Sequence, residues 1–98
     1  MVIVAQISYP PESANQIAKR FIEAPPLPAY ITRKGPYVSS ELTEGILSLN
    51  IYEMDNDRLA EGMAFVADAM TTYFGVPGFT YSIRQYLEVQ EALSLLGM

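Results

Sequence analysis

Histidine and cysteine are both absent from this sequence, and several chemistries go with them. Zinc, iron and copper lose their best ligands, so only carboxylates could hold a metal; neither a metal site nor a cofactor is expected. No Ser-His-Asp or Cys-His arrangement can be written. Disulfides are excluded, although a lack of cysteine by itself fits any redox compartment.

Charge is the second shortage. Charged residues make up 17% of the chain, against about 25% in an ordinary globular domain. With 7 tyrosines present, such a composition points to a surface that is covered rather than wet. A homo-oligomer, most simply a homodimer, is therefore expected, with the chain as its own partner. The net charge is −5 and the pI about 4.4. The basic residues are scattered over Lys19, Arg20, Arg33, Lys34, Arg58 and Arg84. No basic stripe exists to follow phosphates, so no nucleic-acid partner is expected. Anionic membrane surfaces are disfavoured for the same reason, and no apolar run approaches the roughly 20 residues that span a bilayer. The apolar start, MVIVAQISY, lacks a basic lead and runs into Pro10-Pro11-Glu12. It reads as a first strand rather than a signal peptide, which makes the cytoplasm the expected location.

What is present is a clear succession of elements in one domain, residues 1–98. Val2 to Tyr9 alternates as a strand that Pro10-Pro11 ends, since proline donates no ladder hydrogen bond. A helix is predicted from about Glu12 to Ala24, started either by Ser13 with Gln16 in capping-box spacing or equally by Pro11 at the first helical position, with Ala14, Ile17, Ala18 and Phe21 as its buried stripe. Lys19 and Glu23 are spaced to pair across one turn. Ala29 to Lys34 is the second strand, continuing past Gly35-Pro36 to Ser40; the proline assigns it to an edge or a bulge. Gly45 to Asp57 reads as a central strand running into a helix N-capped by Asp55, Asn56 or Asp57. Leu59, Met63, Val66, Met70 and Tyr73/Phe74 recur at helical spacing, and Gly75 with Pro77 stops that helix. Gly78 to Leu87 is the fourth strand, and Glu88 to Leu96 a short terminal helix closed by Gly97.

The order is βαββαβ plus a terminal helix. Right-handed crossovers predict an α+β fold, ferredoxin-like, with a four-stranded antiparallel sheet and two helices on one face. The first and third strands are then central and the second and fourth are edges. This pattern of elements, covering nearly the whole chain, resembles the dimeric α+β-barrel superfamily. That superfamily includes cofactor-free monooxygenases of antibiotic synthesis and haem-degrading enzymes, and no catalytic motif of any member is matched here. The copper-tolerance and nitrogen-regulatory trimers share the same order, so the resemblance implies self-association without fixing its number.

The functional question is which side chains lie on the sheet face away from the helices. If Leu47, Leu49 and Ile51 face the helices, the open face carries Gln6, Ser8, Tyr30, Thr32, Ser48, Asn50, Tyr52, Ser82, Arg84 and Tyr86. Of these, Asn50, Tyr52, Arg84, Tyr86, Tyr30 and Gln6 are the candidate ligand-binding residues: amides, phenols and one guanidinium suited to a small organic ligand. The competing reading is a subunit interface, where Tyr and Arg are enriched. Arg84, the only charge in the middle of that face, would either take a carboxylate or phosphate or pair with an acid of a second copy. Asp55-Asn56-Asp57 is not a calcium loop, because Ala60 and Val66 stand where glycine and glutamate are required. No phosphate-loop spacing occurs among the glycines. Glu53 has the parity of Leu49 and Ile51 and sits at the strand's end. A cofactor-independent monooxygenase or isomerase would draw its proton chemistry from Tyr52, Asn50, Tyr86 and Arg84. A third possibility is a structural or regulatory subunit that binds another protein through an edge strand. Whether the protein is an enzyme stays open at this level.

Overall fold

A computed structural model describes residues 1–98. The strands are β1 (Val2–Tyr9), β2 (Thr32–Glu41), β3 (Gly45–Glu53) and β4 (Thr80–Tyr86), and the helices α1 (Ala14–Glu23), α2 (Leu59–Met70) and α3 (Val89–Leu95). Single 3-10 turns at Pro11–Ser13, Asn56–Arg58 and Thr71–Tyr73 lead into α1 and α2 and out of α2. The class is α+β, with one four-stranded antiparallel sheet in the order β2-β3-β1-β4. Strands β1 and β3 are central and β2 and β4 are edges. Each β-α-β connection skips one strand: β1 and β2 run parallel with β3 between them, and β3 and β4 run parallel with β1 between them. No helix is long and apolar enough to cross a membrane.

The register of β1 on β3 decides which side chains lie under the helices. Ile3 opposes Tyr52, Ala5 opposes Asn50 and Ile7 opposes Ser48, and directly opposed residues share a face. The side of β1 with Ile3, Ala5, Ile7 and Tyr9 packs against Ile17 of α1 and Val66 and Met70 of α2 to form the core. Ser48, Asn50 and Tyr52 are therefore buried beneath the helices, and Leu47, Leu49 and Ile51 lie on the open face. This reverses the expectation for β3. The physical reason is that β1 has the more lopsided choice: its other side carries Gln6 and Ser8, so the helices take the apolar one and β3 must follow. Gln6, Ser8, Thr32, Ser82, Arg84 and Tyr86 do fall on the open face, as expected, whereas Phe79 and Ile83 pack toward the core.

Strand β2 bulges where the proline stands. Lys34 opposes Ile51 but Tyr37 opposes Leu49, so Gly35 and Pro36 together face one residue, and their peptide bond is cis. Gly35 has φ +106°, and a Cβ there would lie 2.7 Å from the Leu49 carbonyl oxygen, so only glycine fits this close approach. The strand begins at Thr32, three residues later than expected, which leaves Tyr30 in the turn before it.

Pro11 opens the turn that leads into α1, as one of the two expected starts, but the expected side-chain caps are absent. Neither Ser13 nor Asp55 makes a side-chain capping bond. Ser13 Oγ instead donates to the Pro77 carbonyl at 2.6 Å, tying α1 to the segment before β4. Asn56 accepts from the Met1 ammonium at 2.8 Å and donates to Glu91 at 3.0 Å. Glu91 also pairs with that ammonium at 2.6 Å and closes a capping box with Glu88 at the start of α3. This polar knot fastens the terminal helix, while Val89, Leu95, Leu96 and Met98 stay exposed.

The molecule is a slab of 49 × 31 × 18 Å. Its radius of gyration, 14.9 Å, exceeds the about 13 Å expected for a compact 100-residue domain, and 15 of 98 residues are buried. A chain this flat leaves one broad sheet face without cover.

The knot at α3 makes the helix pH-sensitive. Hydrogen bonds from the Met1 ammonium, the Glu88 amide and Asn56 hold the Glu91 carboxyl down at about 2, below the about 4.3 of a free glutamate. Its stabilisation is fully present above the unfolded value and is lost as the pH falls through about 2. Cα shifts of residues 89–95 should therefore stay helical from pH 6 to about pH 4 and move toward coil below. Glu91→Gln should fray α3 at neutral pH; unchanged shifts in that variant would show that the knot does not hold the helix.

Candidate functional site

Under the helices the sheet and its cover do not meet completely. A cavity of about 220 Å³ remains between α1, the segment 24–27, the sheet and the end of α2. Ile17 and Phe21 wall it from α1, Leu27 from the following segment, and Phe65, Ala69 and Met70 from α2. The floor comes from β3, with Ser48, Asn50 and Tyr52, and from β1, with Ile7 and Tyr9. Strand β2 adds Arg33, Pro36 and Val38, because the bulge shifts its alternation and lets residues on both sides of it face inward. Tyr73 closes the far side. Its place follows from α2 ending in a 3-10 turn that carries the ring back toward the sheet.

Asn50 is the most informative of these residues. Its side chain is buried, and Oδ1 has no hydrogen-bond partner. An unpaired buried amide oxygen costs about 1–3 kcal/mol; this one lies beside Gly35 in the β2 bulge, 3.3 Å from where a Cβ there would stand. Tyr52 and Tyr73 share the same surroundings. Burial pushes the Tyr52 phenol up from its usual range, with the Arg33 guanidinium beside it acting in the opposite direction. Burial likewise raises Tyr73, reinforced by Tyr52 and Tyr9. Both phenols remain protonated at neutral pH, so they serve as hydrogen-bond donors and not as bases. Arg33 lies over the Phe21 ring, its guanidinium carbon 5.2 Å from the ring centre.

The candidate residues read from sequence are divided between three places. Asn50 and Tyr52 come together in the cavity. Gln6, Arg84 and Tyr86 lie on the open face, where Arg84 opposes Val4 and Tyr86 opposes Val2. Tyr30 lies under the Arg58 guanidinium, 3.7 Å from its ring centre, while Arg58 also grips Glu61. No single protomer brings Arg84 or Tyr86 to Asn50 and Tyr52. The open face itself is apolar at its centre, with Val2, Val4, Leu47, Leu49 and Ile51. Its margin carries a Lys34–Glu53 ion pair at 3.1 Å, which gives Glu53 a partner on this face. A shallow depression beside Gln6, Ser8, Thr80 and Ser82 is mostly polar.

Arg33 and Tyr73 escaped sequence reasoning. Arg33 is one of several scattered basic residues until the register with Tyr52 is known, and Tyr73 reads as the end of an amphipathic stripe. No group of three or more acidic side chains gathers where a metal could be held. Comparison of the chain with family models, with curated proteins and with solved structures returned no match.

Replacing the Asn50 amide, whose oxygen is buried without a partner, with an apolar group of similar volume should relieve the protein. Asn50→Leu is expected to raise the unfolding free energy in urea by about 1 kcal/mol or more. A loss of stability of that size would mean that the amide has a structural partner.

Proposed function

We propose that this protein binds a small, largely apolar organic molecule in the cavity between its helices and its sheet. The observation that carries this reading is the cavity itself, mostly apolar in its lining and floored by the polar residues Ser48, Asn50 and Tyr52 of one strand. Small-molecule sites are concave and mostly apolar, with a few convergent polar groups that set orientation. Asn50, Ser48 and Tyr52 supply those groups from one rigid strand. The volume, about 220 Å³, is half as large again as the about 150 Å³ cavity that accepts benzene. A single ring with a short substituent, or an acyl chain of similar size, fits that measure. Binding is favoured over proton abstraction because burial keeps the Tyr52 and Tyr73 phenols protonated at neutral pH.

We also propose a ferredoxin-like fold of the dimeric α+β-barrel type, with two copies joined through their open sheet faces. The βαββαβ order with β1 and β3 central supports the first part. The second rests on the apolar centre of the open face and on the slab's broad side of 49 × 31 Å, large enough for the about 800 Å² per partner of a stable interface. In this arrangement Leu47, Leu49 and Ile51 bury against a second copy, and the ligand sits within each protomer on the other side of the sheet.

Two measurements test these readings. Ala69→Phe should fill the cavity and lower the affinity for single-ring probes such as benzamide by tenfold or more, with the melting temperature within a few degrees of the parent. Equal affinity would remove the cavity as the binding site. Leu49→Lys should convert a dimer to a monomer by light scattering; a parent that is already monomeric, or a variant that stays dimeric, contradicts the open-face interface.

A further inference from the structure

The cavity is electrically one-sided. Arg33 is the only charged side chain that lines it, and no Asp or Glu does so. This is unexpected in a chain with 11 acidic and 6 basic residues. The neighbouring cations are satisfied elsewhere: Lys34 by Glu53, Arg58 by Glu61, and Arg20 by the carbonyls of Thr72 and Phe74. Arg33 takes part in none of the ion pairs. The Phe21 ring beneath it and the Tyr52 hydroxyl beside it restrain the guanidinium, and its five N–H donors exceed what those contacts use. A restrained, half-buried guanidinium without a carboxylate is a preorganised receptor for one.

We propose that the ligand is a small apolar carboxylic acid, bound as its carboxylate, with Arg33 as the counter-charge and Asn50 and Tyr52 as further hydrogen-bond donors. This rests on the reading of the cavity as a ligand site and adds the chemical class. The apolar body of the acid lies against Ile17, Phe65 and Met70. Amines are rejected, because the cavity holds a positive charge and no negative one. Neutral molecules of the same shape bind more weakly, since they cannot use the guanidinium's charge. The Asn50 amide turns its NH₂ group toward the carboxylate, and Tyr52, protonated at neutral pH, donates its hydroxyl.

The test compares acids with their own primary amides, which match them in size. Benzoate and trans-cinnamate would be titrated against benzamide and cinnamamide at pH 7 and low salt, with two-dimensional NMR shifts to locate the site. Each acid should bind the parent protein at least about tenfold more tightly than its amide, the yield of a charge-assisted over a neutral hydrogen bond. The shifts should cluster at Ile17, Asn50 and Tyr52. Arg33→Gln should bring the acids down to the amides' affinity and leave the amides unchanged, and Arg33→Lys should keep part of the preference. Equal affinity of acids and amides for the parent protein overturns this proposal while leaving the cavity a ligand site. So does a preference that survives Arg33→Gln. If neither series moves the cavity resonances, the underlying reading fails together with this one. Should Arg33→Gln fail to fold, the parent protein still decides: the acid-to-amide ratio must fall as sodium chloride is added, and a salt-independent ratio overturns the proposal.

Discussion

The pairing register of β1 on β3 is the constraint from which the rest of this structure follows. Side chains alternate across a strand, so a shift of one residue would exchange every side chain between the two faces. With Ile3 opposite Tyr52 and Ala5 opposite Asn50, the apolar side of β1 is drawn under α1 and α2. The polar side of β3 goes with it. Two consequences arise at once: a hydroxyl, an amide and a phenol are buried beneath the helices, and three large aliphatic side chains are left facing outward.

Neither consequence favours an isolated chain. Burying Asn50 without a partner for its oxygen sacrifices stability, and exposing Leu47, Leu49 and Ile51 forgoes about 25 cal/mol for each Å² of apolar surface left in water. A second copy on the outer face would cover those aliphatic side chains, and the cavity leaves room for a small molecule on the inner side. The two proposed sites are then back to back on one strand.

The arrangement of elements was legible because it depends on local signals. Prolines end β1 and mark the bulge of β2, Gly75 with Pro77 closes the segment after α2, and period-two alternation marks β1, β3 and β4. The central positions of β1 and β3 followed from the crossover rule. The face of β3 was not legible, because both of its sides have a claim to burial: Leu47, Leu49 and Ile51 by hydropathy, and Tyr52 by size. Only the pairing with β1, a contact between residues some forty-five positions apart, settles it. The same limit hid Arg33, whose place depends on a bulge two residues further along. Asn50 and Tyr52 were expected on one face and do share one, but it is the opposite side of the sheet from Gln6, Arg84 and Tyr86. Capping chemistry misled for a different reason. Ser13 and Asn56 have capping side chains, and long-range partners at Pro77 and at Met1 with Glu91 outcompete the local amides.

The central claim is that the ligand lies on the inner side of the sheet. Its most direct measurement is an isotope-filtered NOE experiment on labelled protein with unlabelled trans-cinnamate. Contacts from the ligand's ring protons to the Asn50 side-chain amide and the Ile17 methyls are the predicted result. Contacts to the Gln6 side chain and the Leu49 methyls would instead put the ligand on the open face and contradict the account.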